Sequence, residues 1–123
     1  MAKKTILLVE DDLDSRATTC TMLEALGYHH ISFGSGPAAL AGMNGQTIDL
    51  ALLDIMMPEM NGYDLLKEMR KIPEYKELPV IMVTAKEQDS EVLEGYQLGA
   101  DYYITKPFTM KQLEYGIKIF LAQ

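Results

Sequence analysis

Four places in this chain put reactive side chains directly after a short apolar run. Glu10, Asp11 and Asp12 follow residues 5–9, and Asp54 follows residues 50–53. Thr84 and Ala85 follow residues 79–83, and Thr105, Lys106 and Pro107 follow residues 102–104. Three adjacent acids facing a fourth repel one another, which raises pKa values and costs stability. A divalent cation relieves that cost. A few hard oxygen ligands with room left for water suit Mg2+ better than a Ca2+ cage. Taken alone, Glu10-Asp11-Asp12 is more often a solvated charge run; its place after a buried strand makes it a metal candidate.

Asp54 is the sharper feature. It closes an all-apolar run, so half of its surroundings are dry. A helix-capping role is a poor fit, because the next helical pattern starts only at about Gly62. A carboxylate beside Mg2+ can act as a nucleophile on phosphorus and form an acyl phosphate. The metal offsets charge on the transferred group, and little other covalent chemistry is needed. Lys106 offers a fixed positive charge for a phosphoryl group. The bond between Lys106 and Pro107 is a candidate cis peptide, since cis X–Pro marks constrained turns. Thr84 offers a hydroxyl to a phosphoryl oxygen. Each has a plainer role when taken singly, as a strand-end threonine or a surface lysine. Together, at successive strand ends, they describe a site.

Such a site needs a sheet to assemble it. Residues 5–9 are apolar without a helical period, which predicts a strand buried on both faces. Strands are also predicted over 29–33, 50–53, 79–83 and 102–104. Between them lie helical patterns over 14–26, stopped by Gly27, and over 37–43, opening with Pro37. Further helices are predicted over 63–70, over 89–98 with a stop at Gly99, and over 109–120. Thr109 and Gln112 form a capping-box pattern at the start of the last one. Five βα units imply a parallel five-stranded sheet covered on both faces through right-handed crossovers. The expected architecture is a single three-layer α/β domain, with ligands at the carboxyl ends of the strands.

Bulk properties exclude other classes. Eighteen acids against eleven bases give a net charge of −7. Phosphate backbones need a basic footprint, so a direct nucleic-acid partner is not expected. An anionic membrane surface is disfavoured for the same reason. The single cysteine, Cys20, has no disulfide partner and no nucleophile pattern around it. The apolar run at 5–9 is too short for a signal peptide, and no segment approaches a membrane span, so a cytoplasmic location is expected. Residues 34–39, Gly-Ser-Gly-Pro-Ala-Ala, imitate a dinucleotide loop, with Asp54 at the usual offset of a ribose-binding acid. The loop follows the second strand rather than the first, which argues against that use. A haloacid-dehalogenase-like phosphatase would need a second aspartate at position 56, where Met56 stands.

The chain resembles a response-regulator receiver domain of two-component signalling. The resemblance rests on residues 7–12 (LLVEDD), 49–58 (DLALLDIMMP) with Asn61-Gly62, 79–85 (PVIMVTA) and 99–108 (GADYYITKPF). It covers essentially the whole chain. It implies a (βα)5 flavodoxin-like fold with strand order 2-1-3-4-5 and one receiver domain over 1–123, with no output domain, acting alone or as part of a longer protein.

The resemblance also implies roles. Asp54 receives a phosphoryl group from the phosphohistidine of a sensor histidine kinase or histidine phosphotransferase. Asp11, Asp54 and the backbone carbonyl of Met56 ligate Mg2+, with Mn2+ as a substitute, and Glu10 completes the acidic pair with Asp11. Lys106 contacts the phosphoryl group. Thr84 moves toward it and Tyr103 swings inward behind it, changing the surface of the fourth helix, fifth strand and fifth helix. Tyr96, Tyr102 and Tyr115 could make that surface an aromatic partner site. The chain would assist its own phosphorylation and slow autodephosphorylation without being a conventional enzyme, and Met56 and Lys86 would flank the attacking water. Family members with winged-helix outputs dimerise through charged pairs whose places are taken here by Val92, Tyr102, Gln112 and Gly116. A monomer or weak dimer with a downstream protein partner is therefore expected.

Overall fold

Five parallel strands lie in the order β2-β1-β3-β4-β5, as predicted. They are β1 (Thr5–Val9), β2 (His29–Phe33), β3 (Leu50–Asp54), β4 (Val80–Thr84) and β5 (Tyr102–Thr105). The computed structural model describes residues 3–85 and 99–121. Within them are four helices: α1 (Leu13–Ala25), α2 (Gly36–Met43), α3 (Gly62–Arg70) and the C-terminal α4 (Met110–Phe120). The helix predicted over 89–98, and with it Lys86, Val92 and Tyr96, lies outside the described residues.

Alternation along each strand sorts the core into two layers. Leu7, Val9, Ala51, Leu53, Val80, Met82 and Tyr103 face one side, where Ala39 and Met43 of α2 and Leu65, Leu66 and Met69 of α3 pack on them. Ile6, Leu8, Leu50, Leu52, Ile81 and Ile104 face the other, under Leu23 of α1 and Leu113 and Ile117 of α4. The central strands are buried on both faces, so their sequences read as unbroken apolar runs. Tyr102 and Tyr103 fall in opposite layers, as strand alternation requires, and Tyr102 meets Phe120 edge-on at 6.5 Å.

Helix starts are fixed by side-chain caps. Asp12 accepts from the Ser15 amide, Ser35 from Ala38, Asn61 from Asp64 and Thr109 from Gln112. The box predicted for Thr109 and Gln112 is present, and Asn61 with Asp64 forms a second. Ser35, in the middle of the Gly34–Ala39 segment, is occupied as a cap, and a Cβ at Gly36 would meet the Met60 sulfur at 2.6 Å. That glycine pattern serves packing.

Three strands run one residue further than predicted. Asp54, Thr84 and Thr105 are the last residues of β3, β4 and β5, because the parallel ladder continues through Asp54 with Val83 and through Thr84 with Thr105. A short 3-10 turn, Pro73–Tyr75, carries no periodic signal and is not predicted. Its buried Tyr75 hydroxyl donates to the carbonyls of Met43 and Gln46, both at 2.6 Å. Arg70, at the end of α3, donates to the carbonyls of Tyr75, Leu78 and Gly99, tying the helix to the loops before β4 and β5.

Candidate functional site

The register of the sheet brings the predicted residues together. β1 and β3 are neighbours, and their ends deliver Glu10 and Asp54 to one pocket. Glu10 is 3% exposed and Asp54 5%, while Asp11 lies open to solvent. One carboxylate oxygen from each of the three falls within 4.8 Å of the others. The Glu10 backbone is clamped from both sides. Its N–H donates to the Phe33 carbonyl at 3.1 Å, and the Arg16 guanidinium donates to its carbonyl at 2.9 Å.

Lys106 enters from the end of β5. Its ammonium pairs with Glu10 Oε1 and stands 3.7 Å from Asp54 Oδ1. The Lys106 N–H donates to the Thr84 carbonyl at 2.7 Å, which fastens this loop to the end of β4. The peptide between Lys106 and Pro107 is cis, as predicted. Thr84 is buried at the end of β4.

The charges are unequal in their fates. Burial, then the hydrogen bond and charge of Glu10, push the Asp54 carboxyl up to about 7, against an opposing pull from Lys106. Burial also raises Glu10, but its hydrogen bonds with Asp54, Lys106 and the Asp12 amide outweigh it and hold its carboxyl below the ordinary range. Burial tends to lower the Lys106 ammonium; the bond to Glu10 and the charges of Asp54, Glu10 and Asp11 reverse the sign and raise it. Among the described residues, one ammonium thus pairs with a cluster of three acids, two of them buried. A small hard cation fits this donor set, which is all oxygen, crowded and short of positive charge.

The remaining predicted residues sit as follows. The Asp12 carboxylate accepts from the Ser15 amide at 2.8 Å, so the third acid of the triplet caps α1 and stays out of the cluster. Met56 lies in the loop after β3 with its side chain 70% exposed; the carbonyl is the group expected to reach metal. Tyr103 is turned into the protein, and its hydroxyl meets that of Tyr63 at 3.0 Å.

Two contributors, Arg16 and Tyr63, are not singled out by sequence reasoning, and a third, Gly62, is marked there without its structural reason. Arg16 reaches back over six residues to hold Glu10, a contact with no motif. Tyr63 meets a partner forty residues away. Gly62 has a signal, the Asn61-Gly62 pair ahead of α3, but its reason is spatial: a Cβ there would lie 2.5 Å from the Asp54 carbonyl oxygen.

The family model described as "Response regulator receiver domain" matches residues 6–118. The transcriptional regulatory protein RprY of Bacteroides fragilis is 38% identical over 121 residues, which are 98% of this chain and 50% of that protein. The chain spans about half the length of the curated relatives it matches. Among solved structures, the chemotaxis protein CheY4 of Vibrio cholerae superposes with a TM-score of 0.94 at 28% identity, covering 97% of this chain and 99% of that one. The receiver domain of the sensor histidine kinase PA1611 of Pseudomonas aeruginosa superposes with a TM-score of 0.90 at 28% identity over 99% of this chain and 100% of that one. It holds a magnesium ion coordinated in its active-site cleft.

Proposed function

The chain belongs to the response regulator receiver domain family, and from that premise we propose that it is a phosphorylation-dependent signalling switch whose acceptor is Asp54. The observation that carries this reading is the buried pairing of Asp54 with Glu10, beside a lysine ammonium and an exposed third acid. Members of this family act as signalling proteins rather than as conventional enzymes.

In the proposed reaction an Asp54 carboxylate oxygen attacks the phosphorus of a phosphohistidine on a kinase or phosphotransferase. The O–P bond forms as the P–N bond breaks, and the electron pair of that bond stays with the imidazole. Asp54 must be unprotonated to attack, so its raised pKa has to be brought down. Glu10, Asp11, Asp54 and the Met56 carbonyl would hold Mg2+, which supplies positive charge for the carboxylates and the incoming phosphoryl group. Lys106 then exchanges part of its contact with Glu10 for the new phosphoryl oxygens. Thr84, buried at the adjoining strand end, donates its hydroxyl to the same group.

Phosphorylation adds about −1.5 to −2 charges. Nearly complete switching needs about 5.5 kcal/mol of differential binding. Bonds to charged groups contribute about 1.5–3 kcal/mol each. Contacts from Thr84, Lys106 and the Ala85 backbone N–H reach that order. Tyr103 follows the movement of Thr84, and the surface of Tyr102, Gln112 and Tyr115 beside it is where a downstream protein reads the state. Water later hydrolyses the acyl phosphate, with the exposed side chain of Met56, two residues past Asp54, flanking its approach.

Intact mass after incubation with acetyl phosphate and Mg2+ tests the reading. One added phosphoryl group on the native chain, and none on Asp54→Ala, is expected. No addition, or addition to both, defeats it.

A further inference from the structure

We propose that Tyr63 is a positioning residue for the switch: its buried phenol holds Tyr103 in the inward position and thereby tunes how readily the acceptor site takes its phosphorylated form. This rests on the reading of Asp54 as acceptor and Tyr103 as switch residue. It adds a second route between them that does not pass through Thr84.

The route begins at the acceptor strand. The Gly62 N–H donates to the carbonyl of Ile55, the residue after Asp54, at 3.0 Å. Gly62 also sits so close that a Cβ would come within 2.5 Å of the Asp54 carbonyl oxygen. The first turn of α3 therefore rides on the backbone that carries the acceptor. Tyr63 is the next residue, 8% exposed, and points into the layer between α3 and the sheet. Tyr103, 9% exposed, enters the same layer from β5. The two hydroxyls meet at 3.0 Å with both side chains buried.

The geometry makes the contact conditional. An outward rotation of Tyr103 takes its hydroxyl away from Tyr63, which stays fixed by the packing of α3. The inward state thus owns a buried hydrogen bond that an outward state lacks. A bond of that kind in low-dielectric surroundings biases a two-state equilibrium by about 2- to 10-fold. A group that binds better to the inward state gains affinity from the same bias, because the two equilibria are linked. Beryllofluoride with Mg2+ is such a group, since it stands for the phosphoryl on Asp54.

A double-mutant cycle tests this. Beryllofluoride affinity is measured by calorimetry at saturating Mg2+ for the native chain, Tyr63→Phe, Tyr103→Phe and the double variant. Each single variant keeps the ring and removes one of the two hydroxyls that meet at 3.0 Å. Each is expected to weaken beryllofluoride by about 2- to 10-fold, and the double variant is expected to lose clearly less than the two single losses combined. Thermal midpoints of all four, taken without beryllofluoride, report packing separately. The proposal is overturned if Tyr63→Phe binds as the native chain does. It is equally overturned if the Tyr63→Phe loss persists undiminished on the Tyr103→Phe background, which marks a merely structural effect. Failure of the underlying reading looks different. A native chain that takes up no beryllofluoride removes the acceptor site, and an effect of Tyr63→Phe with none of Tyr103→Phe removes the switch role of Tyr103; the inference falls in both cases.

Discussion

Asp54 ends β3 and Glu10 directly follows the neighbouring parallel strand β1, with carboxylate oxygens within 4.8 Å of one another, yet Lys106 contacts Glu10 directly and stands 3.7 Å from Asp54. The lysine therefore favours the charged form of Glu10, whose carboxyl is lowered, while burial and the neighbouring Glu10 raise that of Asp54. On the proposed reading of Asp54 as acceptor, added positive charge is what would free its carboxylate to react.

That division has a sign in pH. The Asp54 pKa is raised from 3.8 to about 7, so the folded chain keeps a proton that the unfolded chain has lost across that interval. The folded state binds more protons there, and the contribution of Asp54 to stability falls as pH rises from about 4 to about 7 and is level above. Glu10 shifts the other way; its contribution is present above its ordinary pKa and is lost only in more acid solution. Metal-free urea unfolding at pH 5 and pH 8, in EDTA, is expected to show Asp54→Asn gaining on the native chain by about 1–4 kcal/mol at the higher pH. An equal difference at both pH values would show that the proton sits elsewhere.

Removing Lys106 takes away the one ammonium paired with this acidic cluster among the described residues. Lys106→Met leaves Glu10 buried without that counter-charge and the phosphoryl group without its lysine. Loss of one charge-assisted contact, about 1.5–3 kcal/mol, slows phosphoryl acceptance from acetyl phosphate by about 10- to 150-fold. Time courses of intact mass measure this. A rate within about twofold of native would remove Lys106 from the phosphoryl contact.

Much of this pocket is legible in the sequence because buried parallel strands advertise themselves as apolar runs and end where polarity begins. Asp54, Thr84 and Lys106 are found that way. The strand ends themselves are not, since the ladder hydrogen bonds of Asp54 and Thr84 come from the neighbouring strand and leave no local mark. The three adjacent acids have different roles. Asp12 is occupied as the cap on Ser15, which the Asp-x-x-Ser spacing does signal, while Glu10 and Asp11 turn to the cluster. The Arg16 clamp on Glu10 and the meeting of Tyr63 with Tyr103 depend on loop path and sheet register, so no local pattern announces them.

Asp11 is the exposed member of the acidic set, and its neighbours are already buried and paired. Asp11→Asn keeps the size and removes one charged ligand. Mg2+ affinity follows the count of charged ligands, so calorimetric titration is expected to show binding weaker by about tenfold or more. EDTA on the native chain is expected to block phosphorylation by acetyl phosphate altogether. Unchanged Mg2+ affinity in Asp11→Asn would place the ion outside this cluster.

Gly62 separates positioning from chemistry, because it bears no functional group and still borders Asp54, the proposed acceptor. The methyl of Gly62→Ala would lie 2.5 Å from the Asp54 carbonyl oxygen and 2.8 Å from the Met82 terminal methyl. Met82 can move aside, but the carbonyl belongs to the β3 backbone and cannot move without shifting Asp54 itself. Overpacking of this kind costs about 1–3 kcal/mol, and helix propensity, which favours alanine by up to about 1 kcal/mol, offsets only part of it. Urea unfolding should therefore show a net loss of stability. The sharper readout is kinetic. With Glu10, Asp11, Asp54 and Lys106 all intact, the rate of phosphoryl uptake should still fall, since an acceptor displaced by a fraction of an ångström loses its alignment with the incoming phosphorus. A Gly62→Ala chain that is less stable but phosphorylated at the native rate would show that α3 supports the sheet without positioning the acceptor.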